Sequence, residues 1–157
     1  EDALRGWTED DPETHYLNGI RAAHEFLGVS SADTRAYLGH EKVQFKGSDT
    51  EKLGKIITEK YLNFFMQGGN EAYFELRRTG YPDFSAYLTH NTDQIYNDGY
   101  LPLRYRYPQS EIDNNNAQVS EAIKRLDKGD DRNSRMWLLQ GSDPLFNPAP
   151  FPFRYKN

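Results

Sequence analysis

The chain contains no cysteine. Disulfides, thiolate metal sites and cysteine nucleophiles are therefore excluded within it. It also lacks any apolar run approaching the ~18 residues that a membrane-crossing helix needs. Basic charge is in deficit, with 19 Lys and Arg against 24 Asp and Glu and a net charge of −5. No basic stripe is present to follow a phosphate backbone, so nucleic acid is not an expected partner. Nothing favours an anionic lipid surface either. The sequence starts at Glu1 without Met, and no leader-peptide pattern is read within it. The expectation is that a leader was removed or that the chain is a piece of something longer.

Aromatic residues are what the chain has in quantity: eleven Tyr and nine Phe among 157 residues. A chain that rich in aromatics folds, and its length suffices for one compact domain with a core. A mean hydropathy of −0.91 demands a polar surface, which several tyrosines must reach.

Periodicity and capping signals predict five helices, at about 11–27, 31–38, 49–67, 70–79 and 116–126. Asp10 or Asp11 caps the first, Pro12 suits its first turn, and Tyr16, Ile20, Ala23 and Leu27 form its apolar stripe. Ser48 and Glu51 have capping-box spacing ahead of Leu53, Ile56, Ile57, Tyr61, Phe64 and Phe65. Asn70 caps the fourth helix, which turns Ala72, Tyr73, Leu76 and Phe74 inward and stops at Gly80 and Pro82. The third and fourth helices therefore form a hairpin. Residues 83–113 read as a long loop with a short strand near Leu103–Tyr107, and 137–157 as an extended tail. The fold class expected is mostly α, built of paired helices.

Signals for chemistry are thin. His15 and His24 lie nine apart, not on the i, i+4 face of a zinc pair, and His40 and His90 are isolated. Asp113-Asn114-Asn115-Asn116 lacks the Gly and distal Glu of a calcium loop and reads as a turn and cap. No nucleophile elbow, P-loop or dinucleotide fingerprint is present, and no acid pair has the apolar setting of a glycosidase. No metal, cofactor or catalytic residue is assigned.

Two stretches stand out. In NEAYFELRRTGYPDF, Arg77 and Arg78 occupy the last turn of a helix, where positive charge is favourable. Neighbours on a helix point about 100° apart, so one arginine is expected to pair inward and brace the helix to residues 81–115. In LPLRYRYPQSEIDNN, Arg104 and Arg106 alternate with Tyr105 and Tyr107, and Glu111 is a candidate partner for an arginine of the first stretch. Tyr81 and Pro82 complete the expected brace.

In this order, the two stretches resemble SusD/RagB-type proteins, nutrient-binding outer-membrane lipoproteins of Bacteroidetes, in the starch-binding-associated SusD-like subgroup. ALRGWTEDDPETHYLNGIRAA, EKLGKIITEKYLNFFMQGGNEAYFELRRTGYPDF, LPLRYRYPQSEIDNNNAQVSEAI and RMWLL carry the resemblance, which runs from Ala3 to Leu139. The chain departs from the family pattern at Tyr73, Leu103 and Trp137-Leu138, all packing positions. The resemblance implies that 1–157 is a single C-terminal segment of a longer lipoprotein, whose lipid anchor lies outside it and is its sole tie to the membrane. It further implies tetratricopeptide-like helix pairs, no enzymatic activity, a surface-exposed place on the cell outer membrane, and two partners. These are a SusC-like TonB-dependent transporter and a glycan or other nutrient oligomer. Tyr87, Tyr96, Tyr100 and Tyr105, with Asn91, Asn97 and Asp98, could stack on sugar rings and bond their hydroxyls. Two alternatives stay open: a helical-repeat module docking on a transporter, and a glycan-acting hydrolase.

Overall fold

Ser48 starts the best-specified element of the molecule. Its hydroxyl accepts from the Glu51 amide at 3.3 Å, and the Glu51 carboxylate accepts from the Ser48 amide at 2.7 Å. This reciprocal box satisfies two donors that a helix start would otherwise leave to water. In the computed structural model, which describes residues 1–84 and 102–136, the helix that follows is α3, Asp49–Asn63. Before it come α1, Pro12–Phe26, and α2, Ser31–Gly39. After it come α4, Glu71–Thr79, α5, Gln109–Asn114, and α6, Asn116–Lys124. The described residues contain no strand. The chain divides into two compact units, Glu1–Pro82 and Asp83–Asn157.

In the first unit, α1 packs on α2 and α3, and α3 on α4. Asp11 caps α1 through its carboxylate, which accepts from the Thr14 amide at 2.9 Å. The predicted stripe of α1 then buries Tyr16 and Ile20 against Val43 and Phe45 of the α2–α3 connection. The Tyr16 and Phe45 rings lie 4.9 Å apart, and the Tyr16 hydroxyl donates to the Val43 carbonyl at 2.8 Å. Burial pushes that hydroxyl's pKa up, so it stays a donor. Lys55 of α3 ties down the same connection by donating to the carbonyls of Gln44 and Lys46 at 2.5 and 2.9 Å. Leu53 and Ile57 of α3 and Leu76 of α4 are buried. The result is a set of paired helices of tetratricopeptide-like type, as expected.

The differences from expectation have local causes. α3 ends at Asn63, four residues early. The chain turns over Phe64, Met66 takes a left-handed φ of 63°, and the Gln67 and Gly68 amides both donate to the Phe64 carbonyl. A Cβ on Gly68 would sit 2.6 Å from Phe64 Cβ, so only glycine fits that turn. Phe65 and Tyr61, expected on the apolar stripe, are exposed, and so is Phe74 of α4. Asn70 occupies the N-cap position of α4 but makes no side-chain cap bond.

The second unit is built otherwise. α5 and α6 abut at Asn115, the end of one and the start of the other. α5 was not expected, and its six residues carry no buried side chain. The expected strand at Leu103–Tyr107 is irregular backbone instead. The Leu103 and Arg104 amides both donate to one carbonyl, that of Arg132, at 2.8 and 3.2 Å. A ladder would need a new acceptor every second residue.

Candidate functional site

The RRTGYP stretch closes α4. Gly80 caps it with φ 76°, in the left-handed region that a Cβ disfavours. Thr79 is fully buried; its hydroxyl donates to the Glu75 carbonyl at 2.8 Å and accepts from the Tyr81 amide at 3.2 Å. These bonds aim the Tyr81 ring onto α3. A Cβ on Gly54 would lie 2.8 Å from Tyr81 Cε1, so the ring occupies the place where any other residue would put a side chain. Pro82, joined to Tyr81 by a cis peptide bond, is buried.

The two arginines diverge as neighbours on a helix must. The Arg77 guanidinium stands 5.2 Å from the centroid of the Tyr73 ring, within cation–π range. Arg78 forks onto Glu1, with two bonds of 2.7 Å, and onto Glu75 at 3.1 Å from Nε. Its carboxylate partners thus come from its own helix and from the start of the chain. Burial raises the Glu1 pKa, but bonds and charge from Arg78 and Arg5 outweigh it and leave the carboxyl below its ordinary range. Bonds to Glu1 first, opposed by burial and aided by Glu75, raise Arg78 further above its usual value.

A second arginine site holds 102–107 to 127–135. Arg104 is 6% exposed and donates to Asp130 Oδ1 at 2.6 Å and to the Asp131 carbonyl at 3.2 Å. The Tyr107 amide also donates to Asp130 Oδ1, at 3.1 Å, and Arg106 stands 3.6 Å from Oδ2. Burial raises the Asp130 pKa; the Arg104 and Tyr107 bonds more than reverse that, and it ends low. The Arg104 guanidinium also covers the Tyr107 ring at 5.1 Å. Glu111 sits in the first turn of α5, where the Asn115 side chain approaches it at 3.5 Å.

Along α1 and α3 opens a groove of about 730 Å³. Glu59 and Tyr37 form part of its wall, with the Tyr37 hydroxyl bonded to both carboxylate oxygens at 2.9 and 3.0 Å. Burial pushes Glu59 up, against the opposing pull of the Tyr37 bond and the His24 charge. Burial and Glu59 push Tyr37 up to about 12. His24 lies 5.0 Å from the Tyr37 ring and shares a 3.1 Å hydrogen bond with Thr34.

Of the residues expected to touch a ligand, Tyr105 is described and exposed. Tyr87, Asn91, Tyr96, Asn97, Asp98 and Tyr100 lie outside the described residues. Sequence reasoning missed Gly54, Asp130 and the groove. Gly54 had a signal, a glycine inside a strong helical stripe, which marks a close approach. Asp130 had none, being 26 residues from Arg104. Among the described residues, no three His, Asp or Glu gather as metal ligands, and no helix is long and apolar enough to cross a membrane.

Residues 1–108 match a SusD-like family model described as starch-binding and associating with the outer membrane. Among solved structures, a SusD homolog from Bacteroides fragilis is 34% identical, with a TM-score of 0.71, covering 88% of this chain and 32% of its own. A chitin-binding SusD homolog from Flavobacterium johnsoniae is 25% identical, with a TM-score of 0.71, over 92% of this chain and 35% of its own. A SusD-like protein from Bacteroidetes superposes with a TM-score of 0.76 at 26% identity, over 87% of this chain and 27% of its own. No curated protein matches. The chain therefore spans about a third of the length of the solved structures that it resembles. With more than half its residues under the family model and such homologues along most of its length, the chain belongs to the SusD-like family.

Proposed function

We propose that this chain is the C-terminal, mainly scaffolding part of a surface-exposed outer-membrane lipoprotein that binds glycan or other nutrient oligomers without chemical turnover. The bound oligomer passes to a SusC-like TonB-dependent transporter. The family match over residues 1–108 carries the reading. A chitin-binding homologue among the structural neighbours supports a glycan as the ligand class.

The scaffold part of the reading draws on what the arginines do. Arg78 and Arg104 spend their donors on Glu1, Glu75 and Asp130 of this chain. Tyr81 spends its ring on Gly54. Arg77, Arg78, Tyr81, Pro82, Arg104, Arg106 and Glu111 are thus braces in this proposal. Any ligand contact made by this chain falls to Tyr87, Tyr96, Tyr100 and Tyr105, with Asn91, Asn97 and Asp98.

A glycan array on the full-length protein, with this chain run beside it, tests the proposal. Binding by the full-length protein alone is the expected result. Sugar-selective binding by this chain alone would move recognition to the tyrosine-rich loop and end the scaffold reading. Binding by neither would end the glycan reading, and sugar cleavage during the assay would end the non-catalytic one.

A further inference from the structure

The groove between α1 and α3 is lined by surface of an unusual kind for a polar chain. Phe26, at the end of α1, is 79% exposed, and Leu62, near the end of α3, is 52% exposed. Leu27 is exposed beside Phe26, and Ile56 and Ala23 lie deeper. Scattered exposed apolar residues are ordinary, but a contiguous apolar channel between two helices is a docking surface. Its shape suits a third helix, which would lay anchors at i, i+3, i+4 and i+7 along it.

One observation and one general property of paired helices argue for a particular occupant. The chain accounts for about a third of the length of its structural neighbours, so a polypeptide of their size has about twice as much chain outside this segment as within it. Paired-helix units also cannot bury their own outer faces and do so by stacking on the next pair. Glu59 adds a polar requirement. One hydroxyl, that of Tyr37, serves both its oxygens, and a carboxylate has lone pairs for more donors.

We propose that the α1–α3 groove seats a helix of the same, longer polypeptide, with apolar side chains against Phe26, Leu27, Ile56 and Leu62 and a hydrogen-bond donor facing Glu59. The inference rests on the reading of this chain as part of a longer protein; glycan binding does not enter it.

The absence of cysteine from this chain makes the test clean. Phe26→Cys and Leu62→Cys replace exposed side chains, and Lys124→Cys, on exposed α6 surface, serves as reference. Each is made in this chain and in the full-length protein, and thiol labelling rates are compared, with the unsubstituted full-length protein as control. In this chain, both groove positions should label at about the reference rate. In the full-length protein they should slow by on the order of tenfold or more relative to the reference, at every protein concentration. Equal relative rates in the two chains would overturn the proposal. Slowing that grows with protein concentration would also overturn it, because a second copy would then be the occupant. Neither readout depends on sugar, so failure here leaves the array result standing.

Discussion

Arg78 and Arg104 are both arginines on carboxylates, and the two units use them differently. Arg78 makes more bonds, a fork onto Glu1 and another onto Glu75, yet its side chain is 41% exposed. Arg104 makes fewer and is 6% exposed. The contrast lies in the guanidinium: the carboxylates Glu1, Glu75 and Asp130 are 19%, 14% and 11% exposed, but water reaches Arg78 and hardly reaches Arg104. The first unit can afford this, because Tyr16, Ile20, Leu53, Ile57 and Leu76 already bury an apolar core beneath it. The second has Leu103 and Val119 as its buried apolar side chains among the described residues, and relies on polar contacts. Counting ion pairs would rank Arg78 first; burial of the guanidinium predicts the reverse order.

The sharpest way to break that comparison is Arg104→Ala. Asp130 would keep its burial and lose its guanidinium, which costs about 3–5 kcal/mol when a buried pair is halved. Urea unfolding should show the loss, and the amides of Leu103 and Tyr107 should lose hydrogen-exchange protection. The effect has a pH signature. The folded pKa of Asp130 is depressed, so its stabilisation is present above the unfolded value of about 3.9 and disappears as pH falls through the lower folded value. Wild type and Arg104→Ala should therefore converge in stability in acid.

Gly54→Ala comes next, at roughly 1–3 kcal/mol for overpacking against the Tyr81 ring. Adding Tyr81→Ala should cancel most of that increment, a coupling that a double-mutant cycle would read directly. If Gly54→Ala is harmless, the ring is not held on α3.

Glu59→Gln should have an effect that appears at neutral pH and vanishes in acid. The folded pKa of Glu59 is raised, so its ionised form costs stability above that pKa, and the cost fades as pH falls through it toward the unfolded value. The amide should be stabilising at neutral pH and indistinguishable from wild type in acid, measured by chemical unfolding at both.

Arg78→Ala should have the smallest effect, below about 1 kcal/mol and shrinking with added salt. A loss comparable to that of Arg104→Ala would erase the contrast between the units.

Most of the helical frame was legible because its signals are local. Asp11, Pro12, Ser48, Glu51 and Gly80 each act within one turn of where they sit, and the α1 and α3 stripes pick out Tyr16, Ile20, Leu53 and Ile57, which are buried, although Leu27 and Tyr61 of the same stripes are exposed. What was illegible depends on distance or on what lies beside the stripe. Phe64 and Phe65 continue the period of α3, but the chain turns at Met66, and Phe65 ends in solvent. α5 is too short to show a stripe. Arg78 was read as a brace without its partners: Glu75, three residues back, could have been named, whereas Glu1 is 77 residues away. The fork at Arg104 was visible as an alternation with Tyr105 and Tyr107, but the alternation suggested a strand, and one aspartate does the holding instead.

That aspartate has a consequence for how the second unit can change over evolutionary time. Arg104 and Asp130 fasten together the two ends of the segment between them, and the Arg132 carbonyl repeats the fastening one step outward. Lengthening a closed loop costs little, about 0.6 kcal/mol per doubling. α5 and α6 hang inside such a loop. The stretch from 108 to 115, which buries no side chain, is therefore a cassette: its length and chemistry can drift, or be replaced by engineering, while the fastening at its base and the buried Val119 of α6 stay as they are.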